Sequence, residues 1–328
     1  MAETLPLLMG VEIGGTKLQL GLGHGDGRLL ALERRTVDPS RGAEGLRADL
    51  VSAFETLVSR GEAGGARVSA VGIGFGGPVN TWRGVVLKSH QIEGWDGFPL
   101  VDWFRETLPV SRAVLQNDAD TAGLGEARFG AGVGVSPLLY VTVGSGVGGG
   151  LIIDGRIYRG GGAGAIEIGH VWVVDRTSSD LDVLRLEDVA SGWSIARQAR
   201  AFAERHARDG NTAWTVLDLA GGDPSRITAA TVAEAARQGD QEARFILNKA
   251  VHAMANALNQ AVTLLAPRRI VLGGGVSQMG EDLWFAPIRH QLDIHVFPPF
   301  RGTFDLVPAS LGEEVVVHGA LALARDLL

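Results

Sequence analysis

A carboxylate and an amide stand side by side directly after an apolar segment of strand composition. The pair is Asn117-Asp118; the strand is predicted over 112–116 and a helix over 119–129. Ligands of α/β proteins bind at the carboxyl ends of strands. A carboxylate there can take the proton of an attacking hydroxyl, an effect of roughly 10²–10⁴ in rate. Both residue types are also common helix caps, and the spacing alone favours capping.

A second group of polar residues follows a glycine-rich loop at 160–164. Its members are Glu167 and His170, with Glu187 further along the chain. Carboxylates and a neutral imidazole together supply the acceptors and donors that sugar hydroxyls need. A lone histidine is more often structural, so this group indicates a sugar site only in combination with other motifs.

Three glycine turns follow strand-like segments and could hold an anion on bare backbone N–H groups. They are Gly14-Gly15-Thr16-Lys17, the stretch 144–150, and Gly273-Gly274-Gly275. A Walker loop needs Gly-Lys-Ser/Thr before a helix, whereas here Lys17 follows Thr16 and leads into a strand. The stretch 144–150 contains G-x-G-x-x-G, but a strand follows where a dinucleotide site needs a helix.

The elements that carry the first two glycine turns repeat one design. Strands predicted at 7–13, 18–22 and 28–37 are separated by a glycine turn and an Asp-Gly turn, and the same order recurs about 130 residues later. This spacing indicates a duplicated domain, since solenoid repeats have periods of ~20–50 residues. Two hairpin tips facing each other across a cleft could then hold a nucleoside triphosphate, with the third turn accepting the nucleoside. Further elements are predicted at 43–59, 68–75, 138–143, 231–238, 242–266, 269–272 and 318–328.

Composition excludes several classes of function. The chain has 328 residues, a net charge of −7 and no cysteine. The negative charge argues against nucleic acid or an acidic membrane surface as the main partner. Disulfides, thiolate zinc sites and cysteine nucleophiles are excluded. No run of ~20 uninterrupted apolar residues suggests a membrane span, so a cytoplasmic location is expected. Glycine is abundant, with 47 residues, roughly twice the usual ~7%.

Taken together, these motifs resemble the ROK sugar kinases, which have a hexokinase-like fold of two actin-like domains. The resemblance covers nearly the whole chain and rests on six ordered motifs: 12–17 for the opening Asp-Ile-Gly-Gly-Thr-Lys, 76–78 for Pro-Gly-Pro, Asn117-Asp118, 144–149, 167–170 for Glu-x-Gly-His, and 273–277.

The resemblance implies a role for each motif residue. Asp118 would be the base for the sugar hydroxyl, and a Mg²⁺ ion on the nucleotide would lie in the neighbourhood of Glu12. The sugar would be bound by Gly77, Asn117, Asp118, Glu167, His170 and Glu187. The nucleotide would be bound by Gly14, Gly15, Thr16, Lys17, Gly144, Ser145, Gly146, Gly148, Gly274 and Gly275. Lys17 could equally be a solvated strand residue.

The chain departs from the family pattern at two places. The family's zinc motif of one His and three Cys is absent, with 175–185 in its place, so no zinc is expected and His170 needs another partner to fix it. Glu12 replaces the family's Asp, keeping the carboxylate one methylene further out. A smaller difference is Asp120, where Asn is usual. The glycine turn at Gly14 also comes too early for the DNA-binding segment of family repressors, so a transcription factor is disfavoured.

The resulting prediction is an α/β protein with two RNase H-like domains, 1–118 plus 314–328 and 119–313. Its predicted activity is transfer of the ATP γ-phosphate to a hexose, by default glucose. The alternatives are a sugar-sensing protein without catalysis, or a kinase for an N-acyl hexosamine or fructose. Polyphosphate is a further possible donor, and the family often forms homodimers.

Overall fold

The computed structural model describes residues 5–59, 67–89, 91–161, 164–174, 182–209 and 214–328. Its β-strands are Leu7–Ile13 (β1), Lys17–Gly23 (β2), Leu29–Thr36 (β3), Val68–Phe75 (β4), Val79–Asn80 (β5), Val85–Val86 (β6), Ala113–Asn117 (β7), Leu138–Val143 (β8), Val147–Ile153 (β9), Arg156–Ile157 (β10), Trp172–Val174 (β11), Val183–Arg185 (β12), Arg269–Gly273 (β13) and Asp305–Pro308 (β14). Its α-helices are Gly42–Ser59 (α1), Leu100–Thr107 (α2), Asp118–Phe129 (α3), Glu187–Ala190 (α4), Gly192–Arg208 (α5), Thr215–Leu219 (α6), Ala229–Arg237 (α7), Gln241–Leu265 (α8), Ala286–His295 (α9) and Val315–Arg325 (α10). Short 3₁₀ helices include Ile168–His170 and Gly275–Met279.

Two five-stranded sheets share one strand order. The first runs β3-β2-β1-β4-β7 and the second β10-β9-β8-β13-β14. In the first sheet β1 pairs antiparallel with β2 and parallel with β4, and β4 is parallel to β7. In the second, β10 is antiparallel to β9 and β13 is parallel to β14. The repeated order agrees with the duplicated domain predicted from the sequence.

The chain divides into two compact units. The first holds Met1–Tyr140, Gly150–Ile166 and Ala309–Leu328, and the second holds Val141–Gly149 and Glu167–Pro308. This division differs from the boundaries predicted after residues 118 and 313, because α3 packs against α10 and β4 and so lies with the first unit. The domains 1–118 plus 314–328 and 119–313 stay a prediction.

Strand β1 is buried along its whole length because helices cover both faces of the first sheet. Met9, Val11 and Ile13 join one apolar cluster with α1 and α2. Leu8 points the other way and joins Val317 and Leu321 of α10, as the alternation of side chains along a strand requires. A strand buried on both faces is a continuous apolar run in the sequence, which is why β1 was predicted with its observed bounds.

Helix α10 lies against the first sheet at positions that have no side chain. A Cβ added at Gly10 would overlap the carbonyl of Val317, and one added at Gly72 would overlap the carbonyl of Ala320. Both glycines are inside strands, not in turns. Part of the glycine excess therefore allows close helix–sheet packing, and only part serves the turns to which the sequence pointed.

Glu126 is a fully buried carboxylate that joins the end of α3 to the segment before α10. Its Oε1 accepts hydrogen bonds from the backbone N–H groups of Ser310 and Leu311, each at 2.9 Å. Its Oε2 accepts from the Ala131 N–H at 2.7 Å and from the Ser310 hydroxyl at 3.2 Å. A buried charge is tolerated only when hydrogen bonds replace its hydration, and here four donors do so.

We expect Glu126→Gln to lower the free energy of unfolding by about 2 kcal/mol. The NH₂ group of the glutamine is a donor, and it would face backbone N–H groups that are donors too. Urea unfolding followed by circular dichroism measures the change. The matched control is Glu106→Gln on the exposed side of α2. Its free energy of unfolding should stay within about 0.5 kcal/mol of the wild-type value. Equal stability of both variants would show that the Glu126 contacts contribute nothing.

Helix α8 spans 25 residues, from its Asp240 cap, whose side chain accepts from the Ala243 N–H, to Ala266 in the left-handed conformation. Pro267 follows, as predicted for the helix end. Within the described ranges, no helix combines the length and the apolar character needed to cross a membrane.

Candidate active site

Asn117 ends β7 and caps α3. Its Oδ1 accepts hydrogen bonds from the backbone N–H groups of Ala119 at 2.9 Å and Asp120 at 3.3 Å. Its Nδ2 donates to the Gly77 carbonyl at 3.2 Å. The capping interpretation is thus correct for Asn117. The cap also has a consequence for the site, because it fixes Asp118 as the first residue of the helix.

The Asp118 carboxylate lies where three parallel strands end. Its Oδ1 accepts from the Ala119 N–H at 2.9 Å. Its Oδ2 is 3.5 Å from the point where a Cβ of Gly76 would lie, and the Cα of Gly14 is 3.5 Å from that same point. Gly76 N–H donates to the Ile13 carbonyl at 2.8 Å. The predicted base is therefore beside the first predicted phosphate turn, at the carboxyl edge of β1, β4 and β7.

The first glycine turn is the tip of the β1–β2 hairpin. Gly14 N–H donates to the Lys17 carbonyl at 3.0 Å, which closes the turn. Thr16 is exposed, and its carbonyl accepts from the Val37 N–H at 3.0 Å. A Cβ added at Gly15 would overlap the side-chain amide of Gln91, so this carboxamide lies directly on the tip.

Glu12, in β1, is held by two polar side chains of β2. Its Oε2 accepts from Gln19 Nε2 at 2.7 Å, and its Oε1 is 3.3 Å from Lys17 Nζ. Gln19 and Lys17 both also donate to the Glu313 carbonyl, at 2.9 and 3.1 Å. Lys17 is therefore an ion-pair partner of Glu12, and its contact with phosphate stays a prediction.

Burial raises the pKa of Glu12 from 4.5 to about 7. The positive charge of Lys17 opposes this shift, whereas the negative charge of Asp118 adds to it. Glu12 is only 7% exposed, so water screens the Asp118 carboxylate poorly from it. The charge of Asp118 thus acts on a buried carboxylate that is also paired with Lys17.

In the second unit, Glu187 is fixed against the second glycine turn. Its Oε2 accepts from the Val147 N–H at 2.9 Å, and a Cβ added at Gly146 would lie 2.5 Å from the same oxygen. Gly144 N–H donates to the Gly146 carbonyl at 2.9 Å, and Gly144 carbonyl accepts from the Gly192 N–H at 2.8 Å. Ser145 lies at the turn, and Gly148 follows on β9.

Glu167 and His170 bracket a 3₁₀ helix and both have exposed side chains. His170 N–H donates to the Glu167 carbonyl at 3.0 Å. Gly169 between them packs so closely on the Val147 carbonyl that a Cβ there would overlap it. Val147 thus contacts both this helix and, through its N–H, Glu187, which brings three predicted sugar-binding residues to one part of the second unit.

A small antiparallel hairpin stands where the family has its zinc motif. Strands β11 and β12 pair Trp172 with Arg185 and Val174 with Val183, and the Leu186 N–H donates to the Val171 carbonyl at 2.9 Å. Residues 175–181 of the replaced motif lie outside the described residues. A backbone ladder therefore joins the segment after His170 to the segment before Glu187, in a chain without cysteine.

The third glycine turn requires glycine at one position. Gly274 has a φ of 83°, and a Cβ there would lie 2.5 Å from the Val143 carbonyl oxygen. A 3₁₀ helix begins at Gly275, and Ser277 Oγ donates to the Gly273 carbonyl at 2.8 Å.

Two residues of the site were missed by sequence reasoning. Gln19 occupies a polar position in an alternating strand, where exposure is expected, yet it is 1% exposed because Glu313 covers that face. Gln91 lies in a loop whose pattern predicts no structure. Neither residue carries a signal in a single sequence, because its partner is distant along the chain.

Comparison with known proteins decides the family. The ROK family model matches residues 8–327. The chain belongs to the ROK family. Glucokinase of Thermotoga maritima is 32% identical over 321 residues, covering 97% of each chain. Glucokinase of Streptomyces coelicolor is 32% identical over 331 residues, covering 98% of each.

A solved structure agrees with this assignment. The ROK family glucokinase of Streptomyces griseus, in complex with glucose and AMPPNP, is 33% identical, with a TM-score of 0.79 and coverage of 98% and 99% of the two chains. The chain therefore has the hexokinase-like, actin-like fold predicted from its motifs, without the family's zinc cysteines. It is a phosphotransferase of the hexokinase or glucokinase class.

Proposed function

We propose that this ROK protein transfers the γ-phosphate of ATP to a hydroxyl of a hexose, by default glucose to give glucose 6-phosphate. One observation carries the proposal, namely the Asp118 carboxylate beside the Gly14 tip, at the shared carboxyl edge of three strands. A base and a phosphate cradle are the parts that phosphoryl transfer requires of the protein, since the chemistry itself is mainly positioning and charge neutralisation.

Asp118 is the proposed general base. As the sugar oxygen forms its bond to the γ-phosphorus, its proton passes to the Asp118 carboxylate. The bond from the γ-phosphorus to the bridging oxygen breaks, and ADP leaves with that electron pair. The helix cap at Asn117 supports this role because it holds the carboxylate in one place before substrate arrives.

The remaining roles follow the family motifs. In the first unit, Gly77 and Asn117 contact the sugar, and Gly14, Gly15, Thr16 and Lys17 contact the phosphates. In the second unit, Glu167, His170 and Glu187 contact the sugar, and Gly144, Ser145, Gly146, Gly148, Gly274 and Gly275 contact the nucleotide. Val147 contacts both Glu187 and Gly169, which supports the proposal that Glu187 and the Glu167–His170 segment bind the same sugar.

Magnesium fits the first unit. Glu12 is a buried carboxylate whose pKa is raised in part by the charge of Asp118, and a divalent cation nearby would relieve that repulsion. Mg²⁺ in such enzymes is held mainly by substrate phosphates and one or two carboxylates, and it neutralises charge on the phosphoryl group. Glu12 is the residue of this chain that would lie near it.

The names of the relatives support glucose and ATP as first choices. Glucokinases match over nearly the full chain, and the Streptomyces griseus enzyme binds glucose and AMPPNP. An N-acyl hexosamine or fructose as acceptor, and polyphosphate as donor, are the alternatives that keep a kinase. A homodimer and a cytoplasmic location stay predictions.

A sensor without catalysis is the second candidate, favoured by the engagement of Glu12 with Lys17 and Gln19. The deciding experiment measures ADP release from Mg-ATP with a panel of hexoses and N-acyl hexosamines, and repeats it with polyphosphate through detection of the sugar phosphate. Turnover with one sugar establishes the kinase and names its substrate. If no sugar is turned over with either donor, while one of the sugars raises the melting temperature of the protein, the protein is a sensor.

A further inference from the structure

The carboxamide of Gln91 lies on the hairpin tip that is proposed to hold phosphate. It fills the space that the missing Cβ of Gly15 leaves, with its Oε1 the atom nearest to that point. Gln91 is exposed at this position. A neutral amide that can donate or accept thus borders the tip at which backbone N–H groups can meet an anion.

Hydrogen bonds hold described residues near Gln91, namely Ser89, Ile92 and Glu93. Ser89 Oγ accepts from the Ile92 N–H at 3.2 Å, and Ser89 N–H donates to Asp96 Oδ1 at 3.2 Å. The Glu93 carbonyl accepts from the Ala43 N–H at 2.8 Å, which ties the loop to α1.

The same loop is also anchored in the core. Trp95 is fully buried and packs edge-to-face on Phe75, with ring centroids 5.5 Å apart. Phe75 ends β4 directly before Gly76, so the Gln91 loop and the loop beside Asp118 share one support. An exposed amide beside residues that are held in place is the arrangement expected of a residue that meets a ligand.

We propose that Gln91 is a nucleotide-binding residue that completes the phosphate site at Gly15. Its carboxamide covers the tip in the free protein. When ATP binds, the side chain rotates away from Gly15 and donates its N–H to an oxygen of the terminal phosphate. This assignment rests on the proposed function, since it takes the Gly14–Thr16 tip as the place of the phosphates.

The test is titration of Mg-AMPPNP into the wild type and into Gln91→Ala and Gln91→Glu, without sugar. Loss of one hydrogen bond to a charged group should weaken AMPPNP binding about tenfold in Gln91→Ala. Gln91→Glu, of nearly equal size, places a negative charge against the phosphate and should weaken it about a hundredfold. Glu93→Gln, an exposed residue of the same loop, is the control and should bind as the wild type does.

A Gln91→Ala variant that binds AMPPNP as tightly as the wild type, or more tightly, overturns the assignment of Gln91 and leaves the kinase proposal standing. A wild type that binds no AMPPNP overturns both the assignment of Gln91 and ATP as the phosphoryl donor. Weaker AMPPNP binding by both Gln91 variants, in a protein that phosphorylates no hexose and no N-acyl hexosamine with either donor, supports the assignment and rejects the kinase. Thermal melting of each variant checks that the fold is retained, as the exposure of Gln91 leads us to expect.

Discussion

Asp118→Asn should lower kcat for sugar phosphorylation by roughly 10²–10⁴ while leaving the affinity for the sugar nearly unchanged. The amide cannot take the hydroxyl proton, but it keeps the shape of the carboxylate and can still accept from the Ala119 N–H. The helix cap is made by Asn117 and is untouched. Initial rates over a range of sugar concentrations separate kcat from KM, and calorimetry with the sugar measures binding directly.

The control for this variant is Asp102→Asn. Asp102 is likewise in the first turn of a helix, α2, but it is exposed and forms an ion pair with Arg105 one turn along the helix. It should change neither kcat nor sugar binding. Retained turnover in Asp118→Asn would mean that another group takes the proton. Loss of sugar binding together with kcat would instead give Asp118 a binding role.

The sequence was sufficient to predict the central strands and the order of the motifs. Strands β1, β4 and β8 have their predicted bounds, because strands between packed layers leave unbroken apolar runs. Helices α2, α5 and α9 were not predicted. Helix α5 shows why, since residues 192–208 are polar on average and bury mostly small residues such as Ala196 and Ala199, which give a weaker apolar signal than large side chains do.

The sequence was sufficient to name the residues of the candidate site, but it did not predict which of them contact one another. Asp118 and the Gly14 turn carry separate signals in the sequence, and their proximity follows from the parallel pairing of β1, β4 and β7, which no local pattern specifies. The sequence also showed no sign of the residues that contact Glu12. Gln19 is buried because Glu313, far along the chain, folds over β2, and only the three-dimensional structure brings them together.

Burial makes Glu12 costly to the fold when it is ionised, and its contacts with Lys17 and Gln19 offset only part of that cost. Its pKa is about 7 in the folded protein against 4.5 for an unhindered carboxyl, chiefly because of burial. Below pH 4.5 both the folded and the unfolded chain hold the proton, and no penalty arises. Between pH 4.5 and 7 only the folded chain holds it, so the free energy of unfolding falls as the pH rises and levels off above 7. The loss amounts to about 3 kcal/mol.

Glu12→Gln should therefore be more stable than the wild type at pH 8 by about 3 kcal/mol relative to their difference at pH 4.5. The glutamine can still accept from Gln19, and Lys17, whose side chain is 41% exposed, can be hydrated when its partner loses charge. Urea unfolding of both proteins without metal at several pH values measures this, with the exposed Glu106→Gln as the control that should follow the wild type. Parallel pH curves for Glu12→Gln and wild type would show that Glu12 does not titrate in this range. The same variant should lose activity with Mg-ATP, because it removes the carboxylate proposed to lie near the metal, so stability and activity would change in opposite directions at one residue.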